Sequence, residues 1–173
     1  MQLKAAGLDM VYMGIESGDT QVLIDVKKGV TREEMIEAGR KLKRCGILCS
    51  ATLISGLGGR QRLREHAIAS ASLISAIKPD YVGFLTLMID PQAPIYSKIV
   101  SGELELLNPE DVVEEMKLFL QNVDSEGTVF RSNHASNYVI LKGTLNEDIP
   151  SMLAYLRQVE EQGKYREERW RRF

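Results

Sequence analysis

Apolar residues form three nearly continuous runs along the chain, and a helical pattern follows each run. The runs cover residues 10–16, 47–55 and 81–89, and runs of this kind are typical of strands with both faces covered. Between the runs, apolar residues recur at helical spacing within 31–45 and 61–77. The alternation predicts an α/β fold in which parallel strands are joined by right-handed crossover helices.

Capping signals mark where the helices begin: Asp19, Thr31 with Glu34 three residues later, and Asn108 followed by Pro109. The strand–helix rhythm ends after the third run. Residues 126–146 are predicted to be irregular, and a final helix begins near residue 148 and runs past residue 158. The last ten residues, 164–173, are rich in charge.

Composition limits the class of protein. The chain has 173 residues, 44% of them hydrophobic, which suffices for one packed domain or for part of a larger one. The net charge of −2 provides no global basic field, so nucleic acid is not the expected partner. Neither a stretch of about 18 apolar residues nor the apolar core of a signal peptide occurs, so we expect a cytoplasmic protein.

Cys45 and Cys49 have a spacing that invites a metal interpretation. A closed metal site needs three or four ligands, and Thr52 stands where a further C-x-x ligand would fall. We therefore interpret the two cysteines as structural thiols, one at the end of a helix and one in the following strand.

Two strand ends carry residues suited to a ligand. The first run ends in Glu16 and Ser17, where a carboxylate and a hydroxyl could contact a ribose or an amine; alternatively, Ser17 or Asp19 only caps the next helix. The second run ends in Ser55–Gly59, where glycines allow close backbone approach to a ligand; alternatively, this is a plain turn. It matches neither a dinucleotide fingerprint nor a P-loop.

Three further clusters have two interpretations each. Arg60, Arg62 and Arg64, upstream of His66, could hold an anion at a helix start or form a solvated face. The polar segment 131–138 could be a network that pins a loop or the wall of a pocket. The basic tail could bind RNA or be a solvated terminus.

In their order and spacing these motifs resemble the radical SAM superfamily, and most of all its subgroup of iron–sulfur oxidoreductases. The matching stretches cover nearly the whole chain: VYMGIESGDTQVLIDVKKGVTREEMIEAGRKLKRCGI from residue 11, TLISGLGG from residue 52 with His66 after it, KPDYVGFLTLMIDPQAPIY from residue 78, and FRSNHASNYVILKGTLNEDI from residue 130.

The resemblance implies a partial TIM-type (βα) barrel in which a CxxxCxxC loop holds a 4Fe–4S cluster that cleaves S-adenosylmethionine to a 5′-deoxyadenosyl radical. It implies cofactor contacts from three strand ends and one helix: Glu16 and Ser17; Leu53, Ile54, Ser55 and Gly56; Gly83, Phe84 and Leu85; and Lys27 or Lys28, of which we favour Lys28. We place speculative substrate contacts in the polar segment, at Arg131, Asn133, His134 and Asn137.

The chain departs from the family in one large respect. It contains no CxxxCxxC motif and lacks the first three strands of such a barrel, so Met1 resembles an internal start. Asp90–Pro94 stands where many relatives have a Pro-Gly-Thr-like turn. We therefore expect residues 1–125 to be the C-terminal half of a barrel, 126–163 an extension packed on it, and 164–173 a disordered charged tail.

Three functions follow as expectations. The first is the C-terminal part of a radical SAM enzyme that is inactive alone, whose partner is the missing N-terminal half of the barrel or a second copy of the chain. The alternatives are a non-catalytic half-barrel module and a phosphate-binding βα protein that uses Gly56–Arg64. The sequence does not identify the substrate, because one fold serves many reactions.

Overall fold

The computed structural model describes residues 2–172, which form a five-stranded sheet with helices packed against it. The strands are β1 (Met10–Glu16), β2 (Leu48–Ser55), β3 (Tyr81–Thr86), β4 (Val129–Arg131) and β5 (Lys142–Thr144). The helices are α1 (Gln2–Ala5), α2 (Thr20–Asp25), α3 (Arg32–Arg44), α4 (Leu63–Ile77), α5 (Ile95–Val100), α6 (Pro109–Asn122) and α7 (Ile149–Gln162). Short 3₁₀ turns occur at Arg60–Arg62 and Glu168–Trp170.

The strands lie in chain order across the sheet, β1-β2-β3-β4-β5. The first four are parallel, and β5 runs antiparallel to β4. The predicted α/β fold with parallel strands and intervening helices is confirmed.

Capping chemistry sets the helix starts. The Thr31 side chain accepts a hydrogen bond from Glu34 N while the Glu34 carboxylate accepts one from Thr31 N, which is the predicted capping box. Asp19 caps α2 by accepting from Gln21 N at 2.8 Å.

The prediction that residues 126–146 are irregular was wrong in part, because β4 and β5 lie within that segment and belong to the main sheet. Each strand has only three residues. That length is too short for an alternating or continuous apolar pattern, so sequence periodicity has nothing to detect.

The core lies on one face of the sheet. In β2 and β3 every second residue, such as Leu53 and Val82, is buried, and Phe130 of β4 is buried beside them. Phe84 contacts Phe119 of α6 edge to face, with ring centroids 4.7 Å apart. Burial of apolar area on this face is the main stabilising term of the fold.

The other face of the sheet is open, which corrects the expectation that both faces are covered. Tyr12, Leu48 and Tyr81 alternate with the core residues and are 79%, 40% and 36% exposed. None of the three belongs to the hydrophobic core. We call this surface the open face; a half barrel would leave its interior face uncovered in the same way.

The tail also differs from expectation, because the described part of it, 164–172, folds back onto the chain instead of being disordered. Arg166 N donates to Tyr138 O at 2.8 Å, and Arg171 is only 8% exposed. Backbone and guanidinium groups of the tail donate hydrogen bonds to carbonyl oxygens of loops far away in sequence. These hydrogen bonds offset the conformational entropy that the tail loses when it becomes ordered. Phe173 lies outside the described residues.

None of the helices in residues 2–172 combines the length and apolar character needed to cross a lipid bilayer.

Candidate functional site

The carboxyl ends of β1, β2 and β3 meet at one edge of the sheet. Glu16 is paired with Leu53, and Ser55 is paired with Thr86. Because strand residues advance about 3.3 Å each, Glu16 and Ser55 lie within the length of one small ligand. We call this edge the ligand edge, since parallel sheets bind ligands at the carboxyl ends of their strands.

Glu16 has an unusual backbone. Its φ is +66°, in the left-handed region that residues other than glycine rarely adopt, and a register shift occurs between Gly14 and Glu16. The carboxylate folds back over Gly14 and accepts a hydrogen bond from Lys28 Nζ at 3.2 Å. Both side chains are about a quarter exposed, at 25% and 23%. The structure therefore brings together two of the residues predicted to contact the cofactor, at a position whose backbone strain is typical of functional sites.

The residues after Glu16 support the turn. Ser17 is fully buried, and its hydroxyl accepts from Asp19 N at 2.9 Å, so it supports the helix start, and the ligand contact stays a prediction. Gly18 lies so close to the backbone of Ala69 in α4 that a Cβ atom there would overlap it. The second interpretation, in which these residues shape the helix start, holds for Ser17 and Asp19.

A cavity of about 380 Å³ opens beside Ser55 and Gly56 at the ligand edge. Its other walls come from the segment after β3, the segment before α6, and the C-terminal part of the chain: Thr86, Leu87, Met88, Ile89, Leu106, Leu107, Tyr138, Glu168 and Arg171. Ser55 and Gly56 thus lie beside a space that a small molecule could fill.

The remaining predicted cofactor residues divide between the two faces of the sheet. Leu53 and Phe84 are core residues, 0% and 3% exposed, so only their backbone could meet a ligand, and the predicted cofactor contacts there stay a prediction. Strand alternation explains this, because residues separated by one position point to the same face. Ile54 and Leu85 lie on the open face and are half-buried.

The polar segment pins a loop to β3. Asn137 is 1% exposed, its Oδ1 accepts from Thr86 Oγ1 at 2.9 Å, and its Nδ2 donates to Phe84 O at 2.7 Å. Asn137 therefore holds the loop against β3, and its predicted substrate contact stays a prediction. Arg131, Asn133 and His134 are not buried, and Arg131 is paired with Gly83 across β3 and β4.

The tail closes one wall of the cavity. The Arg171 guanidinium donates to Ser136 O at 2.6 Å, to Leu87 O at 3.1 Å and to the Glu168 carboxylate at 2.8 Å, and it stacks 4.0 Å from the centroid of the Tyr138 ring. Burial, together with a hydrogen bond to Glu168, raises the pKa of Tyr138 to about 12. Burial acts to raise the pKa of Glu168, but hydrogen bonds from Arg171 and Tyr138 outweigh it and hold this pKa below its usual value.

Glu115 of α6 and Arg171 are the two site residues that sequence reasoning missed. Glu115 is 1% exposed and accepts a hydrogen bond from Gly56 N at 2.9 Å. A signal existed for Glu115, because it occupies a core-facing position of α6 beside Val112 and Met116. No comparable signal marks Arg171, whose neighbours in sequence are mostly charged.

Two of the three arginines considered for an anion site pair with carboxylates of the chain. Arg60 pairs with Asp111 at 2.6 Å, and Arg62 pairs with Asp19 at 2.8 Å. Arg62 and Arg64 line one pocket beside Gly18 and Asp19, so the phosphate-binding alternative stays a prediction.

The cysteines lie far from the ligand edge. Cys45 ends α3 and Cys49 lies near the start of β2, at the opposite end of the strand from Ser55. Burial, with a smaller effect of Asp80, raises the pKa of the Cys49 thiol to about 11, which opposes the thiolate that a metal needs. Residues 2–172 contain no group of three potential metal ligands.

Comparison with known proteins shows similarity to two longer proteins. The chain is 26% identical over 104 residues to an uncharacterized methyltransferase of Pyrococcus horikoshii, a match that covers 60% of the chain and 22% of that protein. Its fold is similar to that of archaeal Elp3 from Methanocaldococcus infernus, solved with its N-terminus deleted, with a TM-score of 0.65 and 20% identity over 94% of the chain and 38% of Elp3. No protein-family model matches the chain. At this identity the likeness establishes an α/β fold consistent with a partial barrel, and the chain spans well under half the length of either protein.

Proposed function

We propose that the chain supplies part of a binding site for S-adenosylmethionine in a protein of the radical SAM class, and that it does not hold the iron–sulfur cluster. One observation carries the proposal: the Glu16–Lys28 ion pair and the cavity beside Ser55 occupy the same edge of the sheet. The sequence motifs and the fold shared with Elp3 over 94% of the chain support it. The name of the Pyrococcus relative is compatible with it, because S-adenosylmethionine is a methyl donor.

The charges at the ligand edge match the methionyl part of this ligand. Lys28 can pair with its α-carboxylate, and Glu16 can accept from its α-amine or from a ribose hydroxyl. The cavity of about 380 Å³ falls within the range of small-molecule sites and would take the adenosyl part against Gly56. Glu16, Lys28 and Gly56 would hold S-adenosylmethionine, whose radical chemistry would need an electron from a reduced cluster that residues 2–172 of this chain do not hold.

The cluster itself does not fit this chain. Cys45 and Cys49 lie at the wrong end of β2, and no third ligand stands near them in residues 2–172. In this proposal the cluster ligands come from a partner, and we expect the chain alone to bind and orient the cofactor without cleaving it. Arg131, Asn133 and His134, which are not buried, remain candidates for the substrate side.

Replacing Lys28 tests the site. Lys28→Met should weaken binding of S-adenosylhomocysteine about tenfold, because it removes one charge-assisted hydrogen bond to the ligand carboxylate, and should leave adenosine binding unchanged. Calorimetry measures both affinities. Lys27→Met is the matched control, since Lys27 is the neighbour in sequence and Glu16 pairs with Lys28 instead.

Two results would contradict the proposal. An equal loss of S-adenosylhomocysteine affinity in the Lys27 and Lys28 variants would mean that only the net charge of the chain affects binding. Binding of inorganic phosphate without any binding of adenosine would instead favour the phosphate-binding alternative.

The proposal includes a protein partner that covers the open face and the free side of β1. β1 pairs only with β2 among the described strands, and unpaired edges invite further strands. Tyr12, 79% exposed on that edge strand, is apolar surface that a partner would bury. The partner is the remainder of the barrel or a second copy of the chain.

Light scattering over a range of concentrations separates these two partners. A second copy predicts a dimer whose dissociation constant rises at least tenfold in Tyr12→Glu and is unchanged in Tyr155→Glu, a control on α7 that is 44% exposed on the helical side. A monomer at all concentrations points to the remainder of the barrel. A dimer that is indifferent to Tyr12→Glu would contradict the use of the open face.

A further inference from the structure

A buried polar cluster lies beneath the ligand edge. Glu115 accepts hydrogen bonds on both carboxylate oxygens: from Ser55 Oγ at 2.5 Å and Gly56 N at 2.9 Å on Oε2, and from His66 Nδ1 at 2.7 Å on Oε1. Glu115 and His66 are 1% and 2% exposed. A carboxylate only accepts, so the His66 ring donates through Nδ1.

The cluster is not explained by stability alone. The second ring nitrogen of His66, Nε2, is buried and has no hydrogen-bond partner among residues 2–172. A buried polar atom without a partner costs free energy, and apolar residues of similar volume would often be as stable or more stable at such a place. A polar cluster whose burial costs free energy therefore lies where the turn after β2 contacts α6.

The geometry couples two walls of the cavity. Gly56 has a φ of +83°, and its carbonyl accepts from Gly59 N at 3.0 Å, so residues 56–59 form a tight turn. The Gly56 amide, on the side of the turn that faces α6, is held by Glu115. Leu106 and Leu107, just before α6, line the same cavity, and Leu107 lies directly beside Gly56.

We infer that Glu115, oriented by His66, is a positioning residue that sets the distance between the Gly56 turn and α6, and hence the width of the cavity. It does not contact the ligand; it acts through the Gly56 amide. The identity of the ligand rests on the function proposed above, whereas the positioning role stands on the hydrogen bonds within the chain.

Amide hydrogen exchange of Glu115→Gln tests the inference without a ligand. The glutamine side chain carries no charge, and its NH₂ group is a donor facing three groups that are themselves donors. The Gly56 amide should therefore exchange with solvent at least tenfold faster. Exchange at the Ala51 amide, in the middle of β2, should be unchanged. The matched control is Glu114→Gln, the same substitution one residue earlier, where the side chain is 49% exposed and pairs with Lys117. Unchanged exchange at Gly56, or equal acceleration at Gly56 and Ala51, would overturn the positioning role.

Ligand affinity gives a second measurement. S-adenosylhomocysteine should bind about tenfold more weakly to Glu115→Gln than to the wild type and equally well to Glu114→Gln. If the wild type does not bind this probe, the proposed function fails, and the exchange experiment still decides the positioning role. If Glu115→Gln does not fold, His66→Leu replaces it as the test, because it removes one donor to the Glu115 carboxylate. His66→Leu should accelerate amide exchange at Gly56. His66→Gln, which keeps a donor, should not.

Discussion

Gly18→Ala should destabilise the chain by about 3 kcal/mol, the upper end of the cost of overpacking a well-packed core. A Cβ atom at Gly18 would overlap the backbone oxygen of Ala69 and lie 2.6 Å from the Cα atom of Ser70. Both atoms belong to the backbone of α4, which cannot retreat because Ala71 and Ile74 of this helix are fully buried. Thermal unfolding should show a midpoint roughly 6 to 12 °C lower than that of the wild type.

Gly83→Ala is the matched control for this prediction. Gly83 lies in β3 of the same sheet, and the nearest atom to its added Cβ, Ala51 O, is 4.0 Å away. The control should stay within about 0.5 kcal/mol of the wild type. Equal destabilisation by the two substitutions would show that the close approach of β1 and α4 is not what requires glycine at position 18.

The parts of the fold that the sequence predicted share one property: their signals are local. The strands β1 to β3 are apolar runs of six or more residues, and Thr31 and Glu34 are three residues apart, so each can be recognised in a short window. Strands β4 and β5 are too short to carry a period. β4 takes its place in the sheet by pairing with β3, which lies far away in sequence, and β5 takes its place by pairing with β4.

The residues of the candidate site also divide into those with a local sequence signal and those that depend on long-range contacts. Glu16 and Ser55 stand at strand ends, and the rule that ligands bind at the carboxyl edge of a parallel sheet singles them out from sequence alone. The burial of Ser17 depends on the approach of α4, whose Ser70 is 52 residues away from its contact at Gly18. Glu115 and Arg171 act through contacts across 59 and 84 residues, and no local pattern encodes such distances.

Arg171→Ala should destabilise the chain by about 2 to 3 kcal/mol and open the cavity wall. The substitution removes donors from the buried Ser136 carbonyl and the half-buried Leu87 carbonyl, and a hydrogen bond from a charged group contributes about 1.5 to 3 kcal/mol. The loss of unfolding free energy stays below the loss for a fully buried ion pair. The reason is that the Glu168 side chain, the carboxylate partner, is 70% exposed and is solvated by water when Arg171 is absent. Urea unfolding measures the change in free energy.

Arg169→Ala separates this effect from the loss of any tail charge. Arg169 lies in the same 3₁₀ turn, is 70% exposed and pairs with Glu167 in the neighbouring sequence, so its loss should change the free energy of unfolding by less than about 0.5 kcal/mol. Limited trypsin digestion adds a local measurement, since cleavage after Arg166 should accelerate in Arg171→Ala and not in Arg169→Ala. Equal cleavage rates in the two variants would mean that Arg171 does not anchor the tail, and the cavity would then lose the wall formed by Glu168 and Arg171.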